Sequence, residues 1–411
     1  MANILITNAW HDDNKGDSGI ILGIMELFSF NSQSQYCLLS EFSEKDVRYK
    51  NAYKHILQAF PNTQILASPW PILPVKQNRD FHFIGKLYNK LLIKALPKHF
   101  SKKRKQIVFP LLQHLKQNDP QKQISHHSNN SLEMLKKNIY ESDIIVSKGG
   151  SFIYSDGSYE GNLRLARVLY PLYIGLTYKK PIVIFGQSIW GLENEIAKKT
   201  ALPILKKSMI FTREHISKEY LKNSLDVDAT VVPDPAFYLS NSKKSNLKII
   251  LTLEKYIIDG YKLIGITVRD WHFKYGNQTF VKKILKIFEL VEKKIEKIIF
   301  VLVPQVIGPV NLEDDRIIMK SIYENAQTNI KRKMLLILDD YSPYELKKIY
   351  AKMDLLIGTR LHSLIFAFTE NVPGIAISYS PHKHEGIMKM IGLQDYIFQI
   401  ENFNPEEVVF I

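Results

Sequence analysis

The sequence predicts an α/β protein made of two doubly wound domains. Its length, 411 residues, suits two domains of ordinary size, and two domains imply a cleft. Short apolar runs alternate along the chain with stretches of helical spacing, a pattern typical of parallel sheets covered on both faces. The composition, 45% hydrophobic and 23% charged, is that of an ordinary globular protein rather than a disordered or fibrous one.

The first half opens with a strand, a loop and a helix. Residues 3–7 form a short apolar run, a polar loop with glycine follows over residues 8–19, and residues 20–30 have helical spacing. Further strands, each followed by a polar turn, are predicted at residues 143–147, 181–185 and 208–212. This alternation indicates a parallel sheet.

The second half repeats the pattern after a stretch with few such signals, residues 241–260. We therefore expect an N-terminal domain of residues 1–245 and a C-terminal domain of residues 246–411. Strands of the second series are predicted at residues 262–268, 297–303, 334–338, 355–357 and 374–377. In open sheets of this kind, ligands bind beyond the carboxyl ends of the strands.

A lysine-rich segment interrupts the first domain. Between residues 79 and 132 the spacing becomes helical and basic, so we interpret this segment as a basic helical insertion. From Arg79 to Lys116 there are ten Lys or Arg residues against one Asp, within a chain of formal net charge +14. Such a patch attracts polyanions, whether anionic lipid, nucleic acid or an acidic saccharide. A helix that packs on its own sheet with a solvated basic face explains the same pattern.

Cysteine usage and the chain start bear on the compartment. The single cysteine, Cys37, excludes an intramolecular disulfide and a cysteine-rich zinc site, which favours the cytoplasm. The first residues lack a basic start and a cleavage site, so we interpret them as a strand rather than a signal peptide. No apolar run reaches about eighteen residues, so we expect no membrane span. The basic segment adds the expectation of peripheral contact with the inner membrane face.

The loop Asn14-Lys15-Gly16-Asp17 stands between the first strand and the first helix. Backbone N–H groups at such a position can face an anion. Two interpretations of Asp17 stay open: its carboxylate accepts a proton from a sugar hydroxyl, or it caps the helix.

Two polar turns follow neighbouring strands of the first domain. Gly149 and Gly150 permit a tight turn and close approach of the backbone to a ligand. Ser188 ends a similar turn after the next strand, and two such turns on one sheet would converge at the same edge. Each alone also fits an ordinary connection between a strand and a helix.

Two arginines end predicted strands, Arg213 in the first domain and Arg269 in the second. A guanidinium can hold a carboxylate or a phosphate through two parallel hydrogen bonds. An ion pair with a nearby acid such as Asp234 is the structural alternative for Arg213.

The most informative segment is Gly358-Thr359-Arg360-Leu361-His362, where an apolar strand stops and a helix begins. The positive end of that helix dipole adds to the attraction of Arg360 and His362 for an anion. The dipole disfavours a protonated imidazole, so an anionic ligand would restore an acid-competent His362. A single histidine at a helix start is usually structural, but the pair after a Gly-Thr turn favours function.

Residues 378–386 are predicted to form a polar loop after the last strand of this series. Lys383 and His384, with His382, are candidates to line a phosphate pocket there. An exposed, charged loop is the plain alternative.

In this order along the chain, these segments resemble the polysaccharide pyruvyl transferase family. The ordered set, rather than any one piece, carries the resemblance, which spans nearly the whole chain apart from the basic insertion. The matching pieces are Asn14 to Asp17, Lys148 to Gly150, Gly186 to Ser188, Arg213-Glu214, Asp234 to Phe237, Arg360 to Ser363, Pro373-Gly374 and Lys383-His384. The chain ends soon after a last stretch of helical spacing, which leaves open whether a closing helix returns to the first domain.

The resemblance implies a GT-B-like fold of two Rossmann-like domains. It also implies an enzyme that transfers pyruvate from phosphoenolpyruvate to a sugar as a ketal, in the biosynthesis of cell-surface polysaccharide. Arg360 and His362 would face the donor, and Arg213 would be a further contact. We expect His362 to be the general acid, Arg360 and Arg213 to hold the anionic groups, and Asp17 to be the base.

We expect no metal and no cofactor beyond the donor substrate, because acidic and histidine residues do not cluster at ligand spacing. The expected partners are phosphoenolpyruvate and a saccharide acceptor, which could be lipid-linked. Gly149, Gly150, Ser188, Lys383 and His384 are further candidates for substrate binding.

Two other functions stay open. A glycosyltransferase on the same fold would use Arg360 and His362 to hold the diphosphate of a nucleotide sugar, because fold does not determine chemistry. A noncatalytic binder of anionic membrane or saccharide would use the basic segment, and its binding would weaken with salt. Nucleic acid is disfavoured, because no recognition module accompanies the basic patch.

Overall fold

The computed structural model divides into two units that do not follow the chain in simple order. Unit 1 comprises Met1–Ala9, Ser32–Lys50 and Asn62–Val232, and unit 2 comprises Trp10–Asn31, Asn51–Pro61 and Pro233–Ile411. The structure describes residues 2–30, 34–69, 130–240, 247–270, 277–310, 313–379 and 381–411. The basic patch from Arg79 to Lys116, and with it nearly all of the expected insertion, lies outside the described residues.

Unit 1 contains a parallel sheet whose described strands run in the order β3-β2-β1-β4-β5-β6-β7. The strands are β1 (Ala2–Ala9), β2 (Ser34–Ser40), β3 (Gln64–Leu66), β4 (Ile144–Ser147), β5 (Ile182–Gln187), β6 (Met209–Thr212) and β7 (Thr230–Val231). Helices α3 (Asn130–Glu141), α4 (Tyr159–Thr177), α5 (Glu195–Leu205) and α6 (His215–Leu225) belong to this unit, and α1 (Lys15–Ser29) and α2 (Lys54–Ala59) belong to unit 2.

Unit 2 contains a second parallel sheet, in the order β10-β9-β8-β11-β12-β13 among the described residues. The strands are β8 (Lys262–Thr267), β9 (Ile298–Leu302), β10 (Met334–Leu336), β11 (Leu355–Gly358), β12 (Gly374–Ser378) and β13 (Ile397–Gln399). The remaining helices are α7 (Lys248–Ile258), α8 (Asn277–Lys294), α9 (Asp315–Asn325), α10 (Thr328–Lys331), α11 (Pro343–Tyr350), α12 (Leu361–Thr369), α13 (Pro381–Met390) and α14 (Pro405–Phe410).

Every strand predicted from an apolar run is present in these sheets. All residues of β9 and β12 are buried, as expected of parallel strands that helices cover on both faces. The strands β2, β3, β7 and β13 were not predicted; β3 and β13 have three residues each and β7 has two. Such short strands carry too few residues for a periodic signal.

Each sheet reverses its strand order once, at a topological switch point. The reversal lies between β1 and β4 in unit 1 and between β8 and β11 in unit 2. Ligands of doubly wound sheets bind beyond the carboxyl ends of the strands at such a point. In unit 2, Arg269 follows β8 and Arg360 follows β11, so both arginines leave the sheet at its switch point.

Helix α1 begins earlier than predicted and packs within unit 2. It starts at Lys15, and the side chain of Asn14 caps it by accepting a hydrogen bond from the backbone N–H of Asp17 at 3.3 Å. The interpretation of Asp17 as the cap is therefore wrong, since it lies inside the first turn. A methyl group at Gly19 would lie 2.6 Å from the Phe366 ring, and one at Gly23 would overlap the backbone of Pro235. These glycines let α1 approach its neighbours closely.

The segment before α1 is anchored by a buried carboxylate. Oδ2 of Asp12 accepts hydrogen bonds from the backbone N–H groups of His55, at 2.6 Å, and Ile56, at 3.2 Å. Asp12 therefore holds the start of α2 against the chain that leads into α1. Burial raises the pKa of Asp12 from 3.8 to about 6, although the charge of His55 and the two backbone hydrogen bonds lower it.

We predict that Asp12→Asn stabilises the protein more at pH 7 than at pH 4. Because the pKa of Asp12 is raised in the folded state, the neutral form is favoured there, and stability is lost as the pH rises from about 4 to about 6. Asparagine keeps the accepting oxygen and does not ionise. The free energy of unfolding of the variant, relative to wild type, should rise by up to about 3 kcal/mol between these pH values in denaturant titrations.

The exposed Asp395→Asn is the matched control for this change and should show little pH dependence. An Asp12→Asn effect of the same size at pH 4 and pH 7 would contradict the assignment of a raised pKa.

Candidate functional site

The first turn of α12 places Arg360 and His362 at the switch point of unit 2. Arg360 has extended backbone and is the N-cap residue of the helix. The backbone N–H of Thr359 donates to the carbonyl of Thr267 at 2.9 Å, which continues the pairing of β11 with β8. Buried apolar residues from Leu364 to Ala367 fix the rest of the helix on the sheet. The strand end and the buried helix therefore hold both side chains in place.

Arg360 is bound to a buried aspartate. Its Nε and Nη2 donate to Oδ1 of Asp315 at 3.1 and 2.6 Å, and Nη2 also donates to the carbonyl of Glu313 at 3.2 Å. Oδ2 of Asp315 accepts from the backbone N–H groups of Gln305 and Val306. Two of the guanidinium nitrogens are thus engaged within the protein, and Nη1 takes no part in these contacts.

His362 lies between a buried carboxylate and a glycine. Its Nε2 is buried, lies 3.6 Å from Oδ2 of Asp234 and has no hydrogen bond to any described residue. Asp234 is 1% exposed, and its Oδ1 accepts from the backbone N–H of Ala236 at 2.9 Å. A methyl group at Gly16 would overlap the imidazole on its Nδ1 side. The ring thus lies with Nε2 toward the carboxylate of Asp234, and the missing side chain of Gly16 leaves space beside Nδ1.

Arg269 stacks on Tyr379 at the same edge of the sheet. The guanidinium carbon lies 4.0 Å from the centre of the ring, and Nε is buried without a hydrogen bond to any described residue. Burial alone would raise the pKa of Tyr379, but the charges of Arg269, Lys383 and Arg360, with a hydrogen bond from Arg269, lower it to about 8. The positive charges near the phenol therefore outweigh the effect of burial on its pKa.

Lys383 and His384 lie in the first turn of α13, so the prediction of a polar loop over residues 378–386 is wrong where the helix begins. His384 is fully buried, and its ring meets that of Tyr379 edge-on, with 5.4 Å between the centres. This turn of α13 follows β12 in the chain. Because β12 is the neighbour of β11 in the sheet, the turn lies beside the end of β11.

Asp17 joins the same region of unit 2 from the first turn of α1. Its charge acts on the carboxyl group of Glu313, as do the charges of Arg360 and Arg269. Unit 2 therefore brings together six candidates predicted from the sequence, and it adds Tyr379. The six are Asp17, Arg269, Arg360, His362, Lys383 and His384.

The other candidates converge within unit 1. Gly150 has a φ of +133°, its N–H donates to the carbonyl of Gly186 at 3.2 Å, and its own carbonyl accepts from the N–H of Ser188 at 2.8 Å. Nε of Arg213 donates to Oγ of Ser188 at 2.8 Å. The turns after β4 and β5, with Gly149 in the first, therefore meet at one edge of the sheet, beside a buried arginine.

Glu214, the residue after Arg213, caps α6. Its carboxylate accepts hydrogen bonds from the backbone N–H and the hydroxyl of Ser217. This acid therefore serves the helix and is a structural member of the motif.

The sequence did not indicate that Asp315 and Asp234 support the site. Asp315 is 45 positions from Arg360, and no local pattern links the two. Asp234 belongs to a recognisable motif, but its position beside His362 depends on how α12 packs. Tyr379 stands two residues after the strand predicted at residues 374–377, and this position near a strand end is the signal that could have identified it.

The described residues contain neither a cluster of metal ligands nor a helix that could span a membrane. No group of three or more His, Cys, Asp or Glu side chains there has the arrangement needed to hold a metal ion. No described helix is long and apolar enough to cross a membrane. Cys37 is partly buried against the core of unit 1, and burial raises its pKa to about 12, which disfavours the thiolate.

Solved structures with this fold come from several sugar-processing proteins. A putative UDP-N-acetylglucosamine 2-epimerase from Listeria monocytogenes aligns with a TM-score of 0.53 and 11% identity, over 100% of this chain and 86% of that one. The Anabaena protein HepE, in complex with UDP and glucose, aligns with a TM-score of 0.51 and 10% identity, over 100% and 88% of the two chains. At these identities the similarity shows the fold alone, two Rossmann-like domains in a GT-B-like protein.

A curated relative is the amylovoran biosynthesis protein AmsJ of Erwinia amylovora. It is 24% identical over 294 residues, which are 68% of this chain and 66% of that protein. The chain therefore spans just under two thirds of the length of this relative. A family model described as polysaccharide pyruvyl transferase matches residues 76–381, well over half of the chain. The chain belongs to the polysaccharide pyruvyl transferase family.

Proposed function

We propose that this protein transfers the pyruvyl group of phosphoenolpyruvate to two hydroxyls of a saccharide, forming a pyruvate ketal and inorganic phosphate. One observation carries the proposal: Arg269, stacked on Tyr379, and Arg360 follow the paired strands β8 and β11 at the switch point where α12 also presents His362. Phosphoenolpyruvate carries a carboxylate and a phosphate and so needs more than one cationic anchor. Membership of the family supports the same reading.

His362 is the proposed general acid. A proton from its imidazole goes to the methylene carbon of the donor, and the neighbouring carbon becomes an oxocarbenium-like centre. Nε2 lies toward the buried carboxylate of Asp234, 3.6 Å away, and we assign Nδ1, beside Gly16, as the nitrogen that faces the donor. The ring is thus oriented before the donor binds, which lowers the cost of reaching the reactive geometry.

The acceptor completes the reaction in two additions. One sugar hydroxyl attacks the cationic carbon and gives its proton to Asp17, the proposed base. The bond from that carbon to the phosphate oxygen then breaks, and the second hydroxyl adds to close the ketal. Of the two hydroxyl protons, one restores the proton that His362 gave and the other leaves with inorganic phosphate.

The acceptor class rests on the family and on the relative named for amylovoran biosynthesis. We propose a saccharide precursor of a cell-surface polysaccharide, with two hydroxyls close enough to share one carbon. A nucleotide sugar as donor is the rival reaction on this fold, and the first experiment separates the two.

We predict that the purified protein releases inorganic phosphate from phosphoenolpyruvate only when a suitable saccharide is present, and that the product gains a pyruvate ketal by mass. His362→Ala should lower kcat by about 100-fold or more, as expected for loss of a general acid. Arg360→Ala should raise KM and lower kcat, because it removes both a cation and the partner of Asp315.

Lys297→Ala, a change of a surface cation in the same unit, is the control and should leave the rate unchanged. Turnover of a nucleotide sugar with no use of phosphoenolpyruvate would replace pyruvyl transfer with glycosyl transfer. Full activity of the His362→Ala variant would show that His362 is not the general acid.

We further predict that Gly16→Ala lowers kcat by about 100-fold, because the methyl group displaces the imidazole of His362 from its position. Gly19 lies on the same helix as Gly16 and faces Phe366. Gly19→Ala should lower stability with a much smaller loss of kcat, because its methyl group meets the Phe366 ring and not His362. Thermal melts and steady-state kinetics of both variants make the comparison. Equal losses of kcat at matched stability would mean that α1 packing in general, rather than the space beside Nδ1, sets the rate.

A further inference from the structure

We propose that Arg269, held by Tyr379 and assisted by Lys383, is the residue that receives the phosphate group of the donor. This inference rests on the proposed function and assigns one subsite within it. Arg360 and the N-terminus of α12 are left for the carboxylate of the same donor.

The position of Arg269 follows from the topology of unit 2. In the parallel pairing of β8 with β11, Thr267 lies opposite Gly358. Arg269 lies two residues after Thr267, and Arg360 lies two residues after Gly358. The two guanidinium groups therefore flank the switch point, where doubly wound sheets bind their ligands.

The two arginines differ in how far the protein already occupies them. Arg360 uses Nε and Nη2 on the fully buried carboxylate of Asp315. Arg269 stacks on Tyr379 and forms one hydrogen bond with it, whereas its buried Nε makes no hydrogen bond to a described residue. An unpaired buried donor is costly, and an anionic oxygen would satisfy it. Arg269 is thus the guanidinium prepared for an external anion.

A second unpaired group follows the neighbouring strand, β11. Oγ1 of Thr359 is buried and makes no hydrogen bond to a described residue, one position before Arg360. Its backbone N–H is bonded to Thr267, so the residue is fixed in place while its hydroxyl is not used. Unpaired donors on the ends of both strands indicate a polar ligand at this point.

Tyr379 and Lys383 make the Arg269 subsite suited to a doubly charged group. The stack on the phenol ring fixes the plane of the guanidinium, so less freedom is lost on binding. Lys383 supplies a second positive charge, and the lowered pKa of Tyr379 reports their combined field. The acids of this region are Glu313 and Asp17, besides Asp315, which is paired with Arg360.

The experiment compares Arg269→Met with wild type by calorimetric binding of phosphoenolpyruvate, inorganic phosphate and pyruvate, each alone. Loss of a charge-assisted pair of hydrogen bonds should weaken the binding of phosphate and of phosphoenolpyruvate about 10-fold to 100-fold. The affinity for pyruvate should change by less than about 3-fold, because Arg360 remains to bind its carboxylate. Arg332→Met removes an exposed arginine of the same unit and should change none of the three.

A second measurement needs no change at Arg269. The ionisation of Tyr379 is followed by near-ultraviolet absorbance as wild type minus Tyr379→Phe, with and without saturating phosphate. Bound phosphate should move the transition to higher pH, because its charge opposes that of Arg269 and Lys383. An unchanged transition with phosphate bound elsewhere would overturn the assignment.

The outcomes separate this inference from the proposed function. If the wild-type protein binds neither phosphoenolpyruvate nor phosphate, the proposed function itself is wrong. Wild-type affinity for phosphoenolpyruvate in Arg269→Met, with binding lost in Arg360→Met, would end only the inference. Loss of pyruvate binding with phosphate binding kept would also overturn it, because Arg269 would then hold the carboxylate.

Discussion

The buried pair of Asp315 and Arg360 is the interaction on which the site of unit 2 depends. A carboxylate with no exposure to solvent is costly unless its oxygens are fully bonded, and Asp315 accepts two bonds from the guanidinium and two from backbone N–H groups. The first residue of α9 is thereby tied to the first turn of α12. Every other catalytic candidate in the unit is placed relative to that turn.

The close approach of α1 is the second constraint. Gly16 faces the imidazole of His362, Gly19 faces Phe366, and Gly23 faces the backbone at Pro235. These contacts explain why α1, which follows the first strand of unit 1 in sequence, belongs to unit 2. They also bring Asp17 into the region of the arginines. A helix with ordinary side chains on this face could not pack so closely.

The elements that the sequence predicts are those with local signals. Buried parallel strands such as β9 are continuous apolar runs, and they were predicted at nearly the observed bounds. The start of α1 was placed too late because the polar residues of its first turn look like a loop, although Asn14 caps it. The carboxylates beside Arg360 and His362 come from distant segments, so the sequence indicates the candidate pair but not the carboxylates next to it.

This difference bears on how the site should be interpreted. A motif such as Arg-Leu-His identifies where a site lies, yet the role of each cation is set by what the fold already binds to it. Arg360, the arginine of the motif, is largely engaged with Asp315. Arg269, which no motif marks, has a buried donor without a partner among the described residues and lies on the neighbouring strand end. Because one fold supports many functions, the groups at the switch point, rather than the fold, determine what is bound there.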